Sequence, residues 1–225
     1  MKSLLKIFVF FLLTLPFTPC YSQIPVAPER ADGIGPFPKL IIRGVTLINS
    51  TGAPPMGPVD IVVENNIIKQ IKSVGYPGAP INDKDRPKSG PDDKVIDCNG
   101  MYLLPGFVDM HGHIGGQSQG TPAEYVFKLW LAHGITTIRD PASGNGVKWT
   151  MDHKAKSLKN EIAAPRILCY PAFGSGWEKS ISTPEEARMW VRENAKNGAD
   201  GIKFFGAAPE IFKAALDENK KLGLK

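Results

Sequence analysis

At 225 residues, 42% apolar and 22% charged, the chain has ordinary globular composition and length for one to two domains. The formal net charge of +5 shrinks to 25 basic against 22 acidic residues once Lys2 and Lys6 are set aside with a leader. No basic stripe or RNA-binding motif accompanies that balance, which argues against a nucleic-acid partner, and three cysteines do not make a disulfide scaffold.

Residues 1–22 read as a secretory leader. Lys2 and Lys6 form the charged start, Ile7 to Leu15 the apolar core, and Cys20-Tyr21-Ser22 a cleavage region before Gln23. The apolar run is too short for a comfortable membrane span, so no stable span is expected after leader removal. Lipidation at Cys20 is the alternative, with Pro19 an unusual neighbour for it. Either route predicts export, to the periplasm or beyond.

Residues 23–38 (QIPVAPERADGIGPFP) are Pro/Gly-rich without periodicity and read as an extended arm. From Lys39 the pattern turns to β. Leu40 to Ile42 and Val45 to Ile48 are β-branched runs separated by Arg43-Gly44. Asp60 to Glu64 and Ile67 to Ile71 flank Asn65-Asn66, a two-residue hairpin turn. Val74 to Pro91 is a polar loop, and strand character resumes at Val95 to Cys98. Residues 39–102 are thus expected to form a small antiparallel β-unit of about five strands, a cap without chemistry. Cys98 and Cys169 lie in apolar, strand-like surroundings that suit buried free thiols.

From Leu103 the rhythm is strand–helix–strand. Thr121-Pro122-Ala123-Glu124 reads as a capping box ahead of an apolar stripe through Val126, Leu129, Trp130 and His133, with Gly134 as the stop. A helix is expected within Gly146 to Lys159. Thr183-Pro184-Glu185-Glu186 repeats the box, and a last helix is expected over Ile211 to Leu222. Strand starts near Phe107, Ile135, Ile167 and Ile202 are 28, 32 and 35 residues apart, the interval of successive βαβ units. The fold class is therefore α/β: a partial TIM-like (β/α) barrel of about four βα units, over residues 103–225, behind a small antiparallel β portion. A full barrel takes about 250 residues and 123 remain from Leu103, so half a barrel, the front of a longer enzyme, is expected.

The stretch that carries chemistry is LLPGFVDMHGHIGG, Leu103 to Gly116. If it is a strand, Asp109, His111 and His113 project to one side, and two imidazoles at a strand's C-terminal end can grip one metal ion. Lys203, in GADGIKFFG, is the second candidate. An ammonium inside an apolar barrel must neutralise, pair or be modified.

The string PGFVDMHGH resembles the first-strand signature of the amidohydrolase superfamily, most closely its imidazolonepropionase-like and prolidase-like branch. The resemblance covers most of the chain after Lys39, and implies that the β-unit is the N-terminal part of a β-sandwich. It further implies that Lys203, matching the fourth-strand lysine, is carboxylated to a carbamate that bridges two metal ions. His111, His113 and Lys203 would then be metal ligands of a binuclear centre, read as zinc. The family's remaining ligands and its general-base aspartate belong to strands beyond residue 225. Asp109 is a supporting residue by the same likeness, and Arg139-Asp140, in GITTIRD, lines or braces the site.

The function so implied is hydrolysis of C–N bonds, amide or peptide-like, through a metal-activated water, with a dipeptide or cyclic amide as small-molecule substrate. Two other readings stay open: a non-catalytic metal- or partner-binding module, and a deaminase or lactonase on the same scaffold. A homo-oligomer is also left open. His133 and His153 read as a helix-end residue and a surface residue. Gly116 to Gly120 matches G-x-S-x-G but lacks a convincing downstream acid and histidine. Asn49-Ser50-Thr51 is a sequon that matters only in a glycosylating host.

Overall fold

The computed structural model describes residues 35–116 and 119–225. The leader, most of the arm, and Gln117-Ser118 of the G-x-S-x-G string lie outside the described residues.

The β-unit is built around one strand, β1 (Lys39–Leu47). It pairs antiparallel with β2 (Met56–Glu64), which pairs antiparallel with β3 (Ile67–Ser73). Asn65 and Asn66 make the tight turn between them at φ 50° and 63°, the left-handed pair that a two-residue hairpin of this hand needs. Arg43-Gly44 does not divide two strands. It is a bulge within β1, where the register jumps from Ile42↔Ile61 to Val45↔Val59. Gly44 takes φ +75° there and donates its N–H to Asp60 Oδ1 at 2.9 Å.

On its other edge β1 pairs in parallel with β4 (Lys94–Asp97) and β5 (Tyr102–Leu103). The expected antiparallel unit is therefore mixed. The connection after β3 carries the chain from one edge of the sheet across to the far side of β1, so β4 arrives running the same way. That connection is pinned by Arg86, whose guanidinium grips the fully buried Asp60 carboxylate through Nε (2.9 Å) and Nη2 (3.0 Å). Val45, Leu47, Val59 and Ile61 form the core of this unit, with Ile42, Cys98 and Leu103 against it.

The second sheet is parallel, in the order β6 (Phe107–Asp109), β7 (Ile135–Pro141), β8 (Arg166–Tyr170). Helices α1 (Ala123–Ala132) and α2 (Val147–Leu158) follow β6 and β7; α3 (Pro184–Lys196) and α4 (Pro209–Lys221) follow β8 and pack on each other. Ile138 and Ile167 bury against Ile114, Ala123 and Phe127 in one core cluster. Trp190, Val191, Ala214 and Ala215 make a second, joined by Phe173, Ile202 and Phe204.

Two expectations change. The fourth strand is not a regular one: Lys203 makes a single parallel bridge to Ala172, with Lys203 N donating to Pro171 O (2.9 Å) and Phe173 N to Lys203 O (2.8 Å). The neighbouring backbone is engaged elsewhere, because Ile202 N donates to Lys225 O and Lys225 N to Asp200 O. The capping box at Thr121 also fails. Pro122 is the N-cap of α1 and makes no side-chain cap bond, while Thr121 is drawn into a bridge with Gly116. The second box forms in full, with Glu186 N donating to Thr183 Oγ1 and Thr183 N to Glu186 Oε2.

Candidate metal centre

Strand β6 ends at Asp109, so His111 and His113 stand beyond it and not on it. Asp109 itself causes the exit: its Oδ1 accepts the His111 N–H at 2.9 Å, an Asx turn that competes with the ladder. The alternation survives this. Gly112 N donates to Arg139 O (3.1 Å), keeping the segment beside β7, and Gly112 and Ile114 are buried while His111 and His113 are exposed. Ile114 anchors the segment in the core against Phe127, Ile138 and Ile167. The two imidazoles meet edge to face with ring centroids 5.2 Å apart.

His113 is oriented from behind. Its Nδ1 lies 3.2 Å from Asp140 Oδ1, at the C-terminal end of β7. Asp140 is fully buried, and its other oxygen, Oδ2, has no partner among the described residues. Burial raises the Asp140 carboxyl above the ordinary carboxylate range, an effect that polar neighbours, the His113 ring among them, only partly offset. A carboxylate on Nδ1–H fixes one tautomer and leaves the Nε2 lone pair for a cation. Arg139, next in chain, donates Nε–H to Met110 O at 2.6 Å and lays its guanidinium over the Tyr170 ring, bracing the turn that carries both histidines.

Lys203 lies at the same end of the sheet. Ile202 and Phe204 on either side of it pack into the helical cluster. The Lys203 amine stands 5.3 Å from the centre of the Phe205 ring. Strands β7 and β8 lie between it and the histidines, three steps of about 4.8 Å each. Among the described residues no group of three or more His, Cys, Asp or Glu could hold a metal ion. The described chain thus offers an oriented imidazole pair and a lysine on the same rim.

The two remaining histidines are structural. His133 caps α1, its Nδ1 2.8 Å from Leu129 O. His153 is not a surface residue: it is half-buried on α2, bonded to Trp149 O and stacked on the Trp149 ring at 3.6 Å. Sequence reasoning placed Asp140 at the site but missed its contact with His113, and it missed Asn145, whose Nδ2 donates to both Ile114 O (2.7 Å) and Gly115 O (2.8 Å). Nothing local in the sequence marks Asn145, since its partners are 30 residues away.

A small β-unit running into parallel strand–helix repeats, with paired histidines after the first strand, has the arrangement of part of a (β/α) barrel. Comparison with known proteins agrees. Adenine deaminase 2 of Rhizobium etli is 35% identical over 162 residues, 68% of this chain and 24% of that protein. Adenine deaminase of Moorella thermoacetica is 31% identical over 163 residues, 67% and 24% of the two chains. A prolidase crystallised with N-methylphosphonate-L-proline superposes with a TM-score of 0.62 at 15% identity, over 83% of this chain and 54% of its own. Molinate hydrolase gives 0.63 at 17%, over 84% and 53%. No family model matches. The chain is similar in sequence to part of these adenine deaminases and in fold to part of the prolidase and molinate hydrolase structures. It spans about a quarter of the length of these curated relatives and about half of these solved structures.

Proposed function

We propose that this chain carries the metal-gripping opening of an enzyme that hydrolyses C–N bonds in small molecules. The observation that carries the reading is the His111–His113 pair at a strand end, with Asp140 holding His113 in the tautomer a metal needs. His111 and His113 are the assigned ligands, His113 through the Nε2 that Asp140 leaves free. Lys203 is assigned as the carbamate: once its ammonium has given one proton to solvent, the free amine attacks the carbon of CO₂, a C=O π pair moves onto oxygen as the C–N bond forms, and a second proton leaves the nitrogen for solvent. That exchange turns a cation into an anion and supplies an oxygen ligand. Zinc suits imidazole and carbamate donors together. A divalent cation held there supplies the Lewis acidity that brings water towards ionisation near neutral pH.

The names of the sequence relatives point to an aminopurine such as adenine as the first substrate to try. A second reading, cleavage of an amide or dipeptide bond, is favoured by Lys203 in its GADGIK setting, which resembles the carbamate-bearing branch. Residues 1–22 direct either enzyme out of the cytoplasm.

The test is to load the protein with zinc and bicarbonate, then follow ammonia release from adenine and amine release from Xaa-Pro dipeptides. Turnover of either class, lost in His111→Ala and His113→Ala, supports the reading. Zinc bound without turnover of any C–N substrate would fit either the non-catalytic module or a hydrolase barrel lacking its later strands and their general base, and zinc binding lost in neither histidine variant would overturn the ligand assignment.

A further inference from the structure

We infer that Asn145 is a positioning residue for the metal site, setting the His113 imidazole against Asp140; this rests on the assignment of His113 as a ligand made above. Asn145 sits in the β7–α2 connection, just before Gly146, the N-cap of α2. Its single amide nitrogen bonds two successive carbonyls, Ile114 O at 2.7 Å and Gly115 O at 2.8 Å. Those carbonyls belong to the two residues that follow His113. The same clamp accounts for a glycine in the motif. A Cβ on Gly116 would overlap Asn145 Oδ1, and Gly116 holds φ +105°, so the close approach and the backbone both require glycine there.

His113 is therefore held on three sides. Asp140 takes its ring, the buried Ile114 side chain anchors its neighbour in the core, and Asn145 fixes the peptides beyond. Of these only Asn145 can be removed without touching the ring or the core. Its amide hydrogen-bonds the backbone and not a histidine ring, so its influence on the metal is carried by the backbone of residues 114–115. Losing a group that orients a metal-binding histidine typically costs about 10–100-fold in metal affinity.

The experiment uses the full chain, labelled with 15N-histidine. Long-range proton–nitrogen spectra of the metal-free protein report the His113 tautomer, and calorimetry reports zinc affinity. In the wild type His113 is expected as the Nδ1–H tautomer. In Asn145→Ala the spectra should shift to a mixture of tautomers, with zinc binding weakened about 10–100-fold. Asn145→Asp keeps the volume but lacks the amide donors, and should behave alike if the alanine variant does not fold. Thr183→Ala, which loosens a distant helix, should leave both readouts unchanged. Unaltered tautomer and affinity in the Asn145 variants would overturn the inference. Should the wild type bind no zinc, the ligand assignment fails, and the metal-free tautomer still decides the role of Asn145.

Discussion

His113 and Asp140, 27 residues apart in the chain, meet at 3.2 Å between Nδ1 and Oδ1, and Asp140 is fully buried as it does so. A buried carboxylate with one oxygen on an imidazole and the other unpartnered makes a directed cradle for that ring. Asp140→Ala should therefore weaken zinc binding about 10–100-fold, read by calorimetric titration. Asp140→Asn retains an acceptor for the Nδ1–H and should lose less.

The Asp60–Arg86 pair tests the β-unit independently of the metal. Arg86→Ala leaves Asp60 buried with only the Gly44 N–H for company. Breaking a buried pair from one side costs about 3–5 kcal/mol, so urea unfolding should show a loss of that order. A loss well under 1 kcal/mol would mean that solvent reaches Asp60.

The capping box of α3 gives a pH dependence. Hydrogen bonds from Ser182 and Thr183 lower the Glu186 carboxyl below its ordinary value of 4.5. A depressed carboxylate contributes stability above its unfolded-state value, and that contribution fades as pH falls through the lower folded value. Wild type should thus lose stability below about pH 4.5 more steeply than Glu186→Gln, as thermal melts across pH 3 to 6 would show. Thr183→Ala should cost about 1 kcal/mol near neutral pH.

Where the sequence signal was local, it read through to the structure. Asn65-Asn66 forms its hairpin, Thr183 to Glu186 its box, and the strand starts at Phe107, Ile135 and Ile167 fall within or at the first residues of β6, β7 and β8. What escaped depends on partners distant in the chain. The parallel pairing of β4 with β1 follows from where a long connection lands. The bulge at Gly44 is coupled to Asp60, 16 residues on. The failed box at Thr121 shows tertiary pairing, here with Gly116, overriding a helix-start motif. At the site, the two-residue spacing of the histidines was legible, but the agents that aim them, Asp140 and Asn145, reach in from the neighbouring repeat.

Cys169 offers a chemical test of burial. Burial foremost, with the nearby Asp140 and Asp200 charges, pushes its thiol up to about 12. Iodoacetamide at pH 8 should leave Cys169 unmodified in the native protein and label it in denaturant, mapped by peptide mass spectrometry. The half-buried Cys98 should react first among the described thiols.

The most direct measurement is X-ray absorption at the zinc edge of the reconstituted protein. Two imidazole nitrogens at about 2.0 Å, with the imidazole scattering lost in His111→Ala and His113→Ala, is the predicted result. A zinc shell without imidazole, or one that both substitutions leave unchanged, would contradict the assignment.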